Sequence, residues 1–266
     1  MGPARQGPEM ALSINTLWVG SSLGPLQRLC LLSALATGLT VRLFCDGRPD
    51  GVPDGVETCA VEEVNAGPRL HHVESGSLAL FSDRFRYAII RQGFGAWFDT
   101  DLLFLRAPDV AGEFSVGWES TTLIASCFLH FQQDSSILNE IAETAAEDYP
   151  VPAFYPFWRR WKLLRTPRHI SELDWGVIGP DLVTHVLRRR GLLHLARPQS
   201  WCCPVSTKDR YGIGRADFDW RAHLKDDSFA VHLWNHALPP ELRGSPPEPG
   251  SLLAWRAREL GFKWDR

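Results

Sequence analysis

Read for the spacing of apolar residues, the chain opens on a β-forming run, "SINTLWVG" (13–20), and a Gly-Pro turn. "LQRLCLLSALATG" (26–38) follows, where Leu26, Leu29, Cys30 and Leu32 share one side at helical spacing before a glycine stop. "TVRLFC" (40–45) predicts the next strand and, beyond the turn-rich "DGRPDGVPDG", "VETCAV" (56–61) predicts another. This strand, turn, helix, strand opening predicts an α/β domain on a parallel sheet. A longer helix is predicted in "SGSLALFSDRFRYAIIRQG" (75–93), with Ser75 or Ser77 as cap, Leu78, Phe81, Phe85 and Ile89 as its apolar stripe, and Gly93 as its stop. Asp83 and Arg86, three residues apart, share a face roughly opposite that stripe; as a surface ion pair they would contribute about 0.3 kcal/mol.

Next comes "GAWFDTDLLFL" (95–105), a strand by its β-formers but with two carboxylates inside it. Side chains two apart on a strand point the same way, so Asp99 and Asp101 converge. Burying two like charges costs several kcal/mol each unless a cation, a metal or an open cleft compensates, so this strand is expected to end at a cleft. The motif needs its surroundings to mean anything: 17 Asp among 266 residues predict about one D-x-D by chance, and a second occurs at Asp217 and Asp219.

Further on, "SILNEIAETAAEDY" (136–149) predicts an amphipathic acidic helix, "GPDLVTHVLRRRG" (179–191) a helix with proline in its first turn and cations in its last, and "SFAVHLWNHAL" (228–238) a short late strand. A Pro-rich loop, "PPELRGSPPEPG", then leads into a terminal helix, "SLLAWRARELG". Between them "VPAFYPFWRRWKLLRTPRHI" (151–170) interleaves Arg159, Arg160, Lys162, Arg165 and Arg168 with aromatics, uninterrupted by any acid. Such a segment is either a solvated helix face with its stems packed on tryptophan or an interfacial surface for anionic lipid or a phosphorylated acceptor.

Length and a 44% hydrophobic composition suit one elaborated domain over 12–238, preceded by a loose tail at 1–11 and followed by a loop and helix, 239–266, packed on the same domain. The 11 Trp suit either core volume or a pocket for a sugar or base. A net charge of -3 argues against nucleic acid as partner. The six Cys form no C-x-x-C pair and read as reduced core thiols rather than a zinc or disulfide framework. No secretory signal pattern is present and no window reaches the roughly 18 apolar residues of a membrane span, so the expected location is cytoplasmic, with 154–168 as a candidate peripheral contact at the inner face of the membrane.

The turn after the first strand lacks the glycine spacing of a dinucleotide or Walker loop. Mg²⁺ or Mn²⁺, bound by one or two carboxylates plus phosphate oxygens, is a standard way to hold a nucleoside diphosphate, and Asp99 and Asp101 fit that task. His232 and His236 reach the same cleft only if the sheet brings two strand ends together.

"SDRFRYAIIRQGFGAWFDTDLLFL", "IGPDLVTHVLRR" and "FAVHLWNHAL" carry, in this order, an S-D-x-x-R-Y helix with a D-x-D strand, a G-P-x-L-V-T helix and an H-x-W-N strand. Over roughly 14–238 the chain thereby resembles the DXD-motif sugar transferases that include α-1,4-galactosyl- and α-1,4-N-acetylglucosaminyltransferases and yeast mannosyltransferases, and more distantly the clostridial glucosylating toxins. The resemblance implies a GT-A fold, a Rossmann-like nucleotide-binding mixed sheet flanked by helices, and transfer of a hexose with retention from a UDP- or GDP-sugar to a glycan, lipid-linked or protein acceptor. It also implies Mn²⁺ or Mg²⁺, with Asp101 as principal ligand, Asp99 bridging ribose, sugar and metal, and His232 completing the site. Asp83 and Arg86 would hold donor hydroxyls and phosphate, Trp234 would donate its indole N–H to the leaving phosphate, and Trp18 would lie against the base. The family's Gly-Gly-x-Tyr is Gly93-Phe94-Gly95-Ala96-Trp97 here, and its Asn-rich segment is "ESTTLIASCFL", where Glu119, Ser120 or Thr121 would meet the sugar.

The expected function is therefore a metal-dependent glycosyltransferase of bacterial type, building a polysaccharide or lipid-linked glycan; the alternatives are a protein-modifying effector, a haloacid-dehalogenase-like phosphotransferase and an inactive sugar-binding module. The phosphotransferase fails on order, because its aspartates should end the first core strand and Asp99 follows several elements later.

Overall fold

The computed structural model describes residues 12–264, so the expected tail at 1–11 lies outside the described residues. The chain forms β1 (Ser13–Trp18), α1 (Pro25–Leu35), β2 (Thr40–Cys45), β3 (Glu57–Ala60), α2 (Ala79–Arg91), β4 (Ala96–Phe98), β5 (Leu102–Phe104), β6 (Phe114–Ser115) and β7 (Phe128–Phe131). After these come α3 (Ser136–Ala145), α4 (Phe157–Arg165), α5 (Pro180–Arg189), α6 (Trp220–His223), β8 (Ala230–His232), α7 (Pro240–Gly244) and α8 (Leu252–Glu259).

Six strands make one mixed sheet in the order β3-β2-β1-β4-β7-β6, parallel from β3 to β4 and antiparallel beyond it. The expected α/β architecture is the one observed. The chain winds from β1 to β2 and β3 on one side, then returns through α2 to place β4 on the other side of β1. The winding thus reverses between β1 and β4, and in open α/β sheets the crevice beyond the carboxyl ends of the strands at such a reversal is where ligands bind. Gly95 lets β4 take its place there: it sits at φ +116, and a Cβ on it would come within 2.3 Å of the Ser13 carbonyl oxygen on β1.

The run 95–105 is not one strand. β4 belongs to the large sheet, whereas β5 pairs antiparallel with β8 in a separate ribbon, Leu102 opposite His232. Asp99, Thr100 and Asp101 form the turn between them, with the Leu102 amide donating to the Asp99 carbonyl at 3.0 Å. The aspartates are therefore brought together by a change of sheet, not by strand alternation.

Apolar clusters fill both sides of the sheet. One packs Phe81, Phe85 and Ile89 of α2 against α3 and α5; another joins Leu26, Leu29 and Cys30 of α1 to Leu252 and Leu253 of α8. Arg256 of α8 is buried and donates to the Phe104 carbonyl at 3.0 Å, which ties the C-terminal helix to β5. Among the described residues no helix is long and apolar enough to cross a membrane.

Candidate active site

Beyond the carboxyl end of β4 opens a cleft of about 340 Å³, lined among others by Asp83, Arg86, Asp99, Asp101, Glu119 and His232. Its volume falls within the range of small-ligand pockets. The expected convergence of His232 with the D-x-D is real: one ligand atom each from Asp99, Asp101 and His232 lie within 4.8 Å of one another.

Each carboxylate is fixed by groups of this chain. Asp99 Oδ1 accepts the Trp97 indole N–H at 2.7 Å and lies 3.3 Å from an Arg86 guanidinium nitrogen. Arg86 also lies 3.3 Å from Asp83, donates to the Ser126 carbonyl at 3.1 Å, and sits over the Trp97 ring at 5.3 Å. The 83/86 pair is thus not a surface ion pair; Asp83 is 4% and Arg86 6% exposed. Burial pushes the Asp83 carboxyl up to about 6, against the pull of Arg86 and with the help of Asp99. Arg86 stays charged: burial disfavours its cation, but Asp99 and Asp83 outweigh that. With both terminal nitrogens engaged internally, Arg86 acts by holding Asp83 and Asp99 in place. Gly179, which opens α5, permits this packing, because a Cβ on it would fall 2.9 Å from Asp83 Oδ1. Thr184, one helical turn on, donates to the Pro180 carbonyl at 2.7 Å and accepts from the Ile124 amide at 2.8 Å, so the Gly-Pro…Thr pattern has a packing reason.

Asp101 Oδ2 accepts the Asn235 backbone N–H at 2.8 Å and lies 3.4 Å from His232 Nε2. Burial works against the carboxylate, yet His232 and the Asn235 amide bring Asp101 down to about 2. Burial likewise disfavours the imidazolium, but Asp101, then Cys127 and Asp99, lift His232 to about 10. The Asn235 amide reaches Asp101 because Trp234 takes a left-handed backbone, φ 57, alone among the described non-glycine residues. Strain of this kind is retained where the surroundings over-determine it.

Two tryptophans differ from expectation. Trp234 lines the cleft with its ring 4.1 Å from that of His232, but its indole N–H is committed to the Val205 carbonyl at 3.0 Å. A hydrogen bond from it to a leaving phosphate would require that bond to break. Trp18 ends β1, donates to the Ser22 carbonyl at 3.1 Å, and is not among the residues lining the cleft. The aromatic that does stand at the rim is Trp175, half exposed and tilted over His236 with ring centroids 5.4 Å apart. The sequence offered no sign of Trp175 beyond its chemistry. Of the candidates in the "ESTTL" stretch, Glu119 lines the cleft, where burial raises its carboxyl to about 7, while Ser120 and Thr121 do not. The second D-x-D is a surface feature, with Asp217 paired to Arg215 at 2.7 Å.

Two carboxylates and an imidazole at this spacing suit a hard divalent ion, Mg²⁺ or Mn²⁺. The buried, unpartnered His232 Nδ1 and the 3.4 Å approach of His232 Nε2 to Asp101 fit a position where imidazolium now balances charge that a bound ion would balance instead. A second cluster with metal-ligand spacing is Cys127, Cys202 and Cys203, whose buried, free thiols lie within 4.8 Å of one another; the sequence reading as separate core thiols does not anticipate it, because the fold brings Cys127 to the other two from far along the chain.

The chain matches no protein-family model and no curated protein. Among solved structures it is similar to one named "PaToxG Glycosyltransferase", with 12% identity, a TM-score of 0.47, and coverage of 68% of this chain and 69% of that one.

Proposed function

We propose that this chain is a divalent-metal-dependent glycosyltransferase that moves a hexose, with retention, from a nucleoside-diphosphate sugar to an acceptor hydroxyl. The observation that carries this reading is the convergence of Asp99, Asp101 and His232 at the reversal between β1 and β4, in a cleft where Arg86 locks Asp83 and Asp99. The ordered motifs around Asp83, Asp99, Gly179 and His232 support the same class, and each serves the cleft's geometry.

Asp101, Asp99 and His232 would hold the ion, which when bound supplies charge neutralisation for a departing diphosphate. Arg86 aims Asp99, with Asp83 on its other side, and Asn235 holds Asp101 in place through its amide. Trp175 offers a half-exposed ring at the rim on which a base or sugar can stack. In the transfer the acceptor oxygen bonds to the anomeric carbon on the face the diphosphate leaves. The carbon–oxygen bond to the diphosphate breaks, and the acceptor proton passes to the departing phosphate oxygen. No side chain is needed as nucleophile or base.

The test is donor hydrolysis. The protein is incubated with a panel of UDP- and GDP-sugars, with Mn²⁺ or with a chelator, and free nucleotide is measured. Wild type should release UDP or GDP only with metal, and Asp101→Asn should reduce the rate at least about a hundredfold while keeping its circular dichroism. Release that ignores both metal and Asp101 would remove the assignment, and metal-independent liberation of inorganic phosphate would move the protein to the phosphotransferases.

A further inference from the structure

α4 presents its apolar side to solvent. Leu163 is its one buried residue and faces the body of the protein. At 3.6 residues per turn, Phe157, Trp161 and Leu164 form a stripe on the far side with Trp158 beside it, and they are 80%, 48%, 69% and 66% exposed respectively. Four large apolar side chains on nine residues are more than a solvated helix carries without a purpose. The stripe is flanked by cations, Arg160 on one edge and Lys162 on the other, and Arg165 lies over the Trp161 ring at 3.9 Å. Arg168 follows, in a shallow groove that it shares with exposed Val73 and with Glu74 and Glu172. No acid occurs between Asp148 and Glu172. Arg160, Lys162 and Arg168 have no acidic partner among the described residues; Arg159 does, donating from both terminal nitrogens to Asp174 at 2.6 Å.

We propose that this face of α4 docks on an anionic lipid bilayer, with Phe157, Trp158, Trp161 and Leu164 seated at the acyl boundary and Arg160, Lys162, Arg165 and Arg168 at the headgroups. The chemistry of the face selects this occupant. A protein groove would need acids placed opposite each cation, whereas a bilayer offers an apolar layer beneath a continuous anionic one. Cations on both edges of an apolar stripe suit a helix lying in that plane. The face is also joined to the cleft: Arg159 of α4 and the Tyr155 hydroxyl both hold Asp174, and the next residue, Trp175, stands at the cleft rim. Docking would therefore set the cleft beside the membrane. If the transferase reading holds, its acceptor is displayed on that surface as a lipid-linked glycan, a step that rests on that reading while the docking itself does not.

The test is co-sedimentation with vesicles of phosphatidylcholine alone and with about one third phosphatidylglycerol, at low and high salt. Wild type should bind the anionic vesicles, bind the neutral ones at least about tenfold more weakly, and lose affinity as salt rises. Arg160→Gln with Lys162→Gln should weaken binding roughly 25-fold, at about fivefold per cation, and Trp158→Ser with Leu164→Ser should weaken it by at least as much. Unchanged melting of each pair shows that the fold is kept. Asp101→Ala should bind as wild type does, so a failed transferase assay leaves this result standing. Absence of binding to anionic vesicles, equal binding to both compositions, or binding that neither pair weakens would overturn the proposal. So would a dimer in light scattering that Leu164→Ser dissolves without any vesicle binding, which would give the face to a second copy of the chain.

Discussion

The cleft and α4 invert the usual distribution of residues in opposite senses. In the cleft Asp83, Arg86, Asp101 and His232 are buried; on α4 Phe157, Trp158, Trp161 and Leu164 are exposed. Either inversion costs free energy. They differ in where the compensation lies. These four meet their counter-charges within the chain: Arg86 stands between Asp83 and Asp99, and Asp101 lies beside His232 while accepting the Asn235 amide. No described residue covers α4's outer stripe. A self-compensated inversion marks preorganised chemistry, whereas an uncompensated one marks a surface whose partner lies outside the molecule.

The comparison can be broken most severely at Arg86. Arg86→Met removes the one cation between two buried acids and should destabilise the fold by about 3–5 kcal/mol in urea titration. Its pH dependence has a definite sign. The Asp83 carboxyl, already raised to about 6, moves higher without Arg86. An acid whose folded pKa is raised stabilises the fold below its unfolded value and loses that contribution as pH rises through the folded one. The penalty of Arg86→Met should therefore be larger at pH 8 than at pH 5. A loss below about 1 kcal/mol, or one independent of pH, would show that the cleft does not depend on internal pairing.

A smaller effect sharpens the chemistry of the same region. His232 is lifted to about 10 by Asp101, so near neutrality it carries a proton that a divalent ion must displace. Mn²⁺ affinity measured by calorimetry should rise with pH, by up to about tenfold per unit between pH 6.5 and 8.5, with proton release detected from the buffer dependence of the heat. His232→Gln should flatten the slope. A flat wild-type profile would remove His232 from the ligand set.

Much of this was legible in the spacing of residues. Period-3.6 stripes located α1, α2, α3 and α5, because each buries one face against the sheet or a neighbouring helix. The two aspartates and His232 were legible as candidates because charges inside β-forming runs are costly and need a reason. The break between β4 and β5 was not, since Phe98 and Leu102 are equally apolar and only pairing with β8 separates them. The burial of Asp83 and Arg86 was hidden too: helical spacing placed them off the apolar stripe, but Gly179 packs against Asp83 while the Ser126 carbonyl and the Trp97 ring lie against Arg86. Trp234 was correctly set at the cleft, but its indole partner, Val205, is 29 residues away and follows no local pattern. The gathering of Cys127 with Cys202 and Cys203 is hidden for the same reason.

The least disruptive change bears on the other half of the comparison. Leu163 and Leu164 are neighbours with the same side chain, one 5% and the other 69% exposed. Leu163→Ser should cost about 2–4 kcal/mol in a urea titration, because it removes packing beneath α4 and buries a hydroxyl. Leu164→Ser should change stability by less than about 0.5 kcal/mol, since water already surrounds that position. If Leu164→Ser instead cost as much as Leu163→Ser, the outer stripe would be packed within the folded chain in solution. α4 would then join the cleft as a self-compensated region, leaving no uncovered surface for an outside partner.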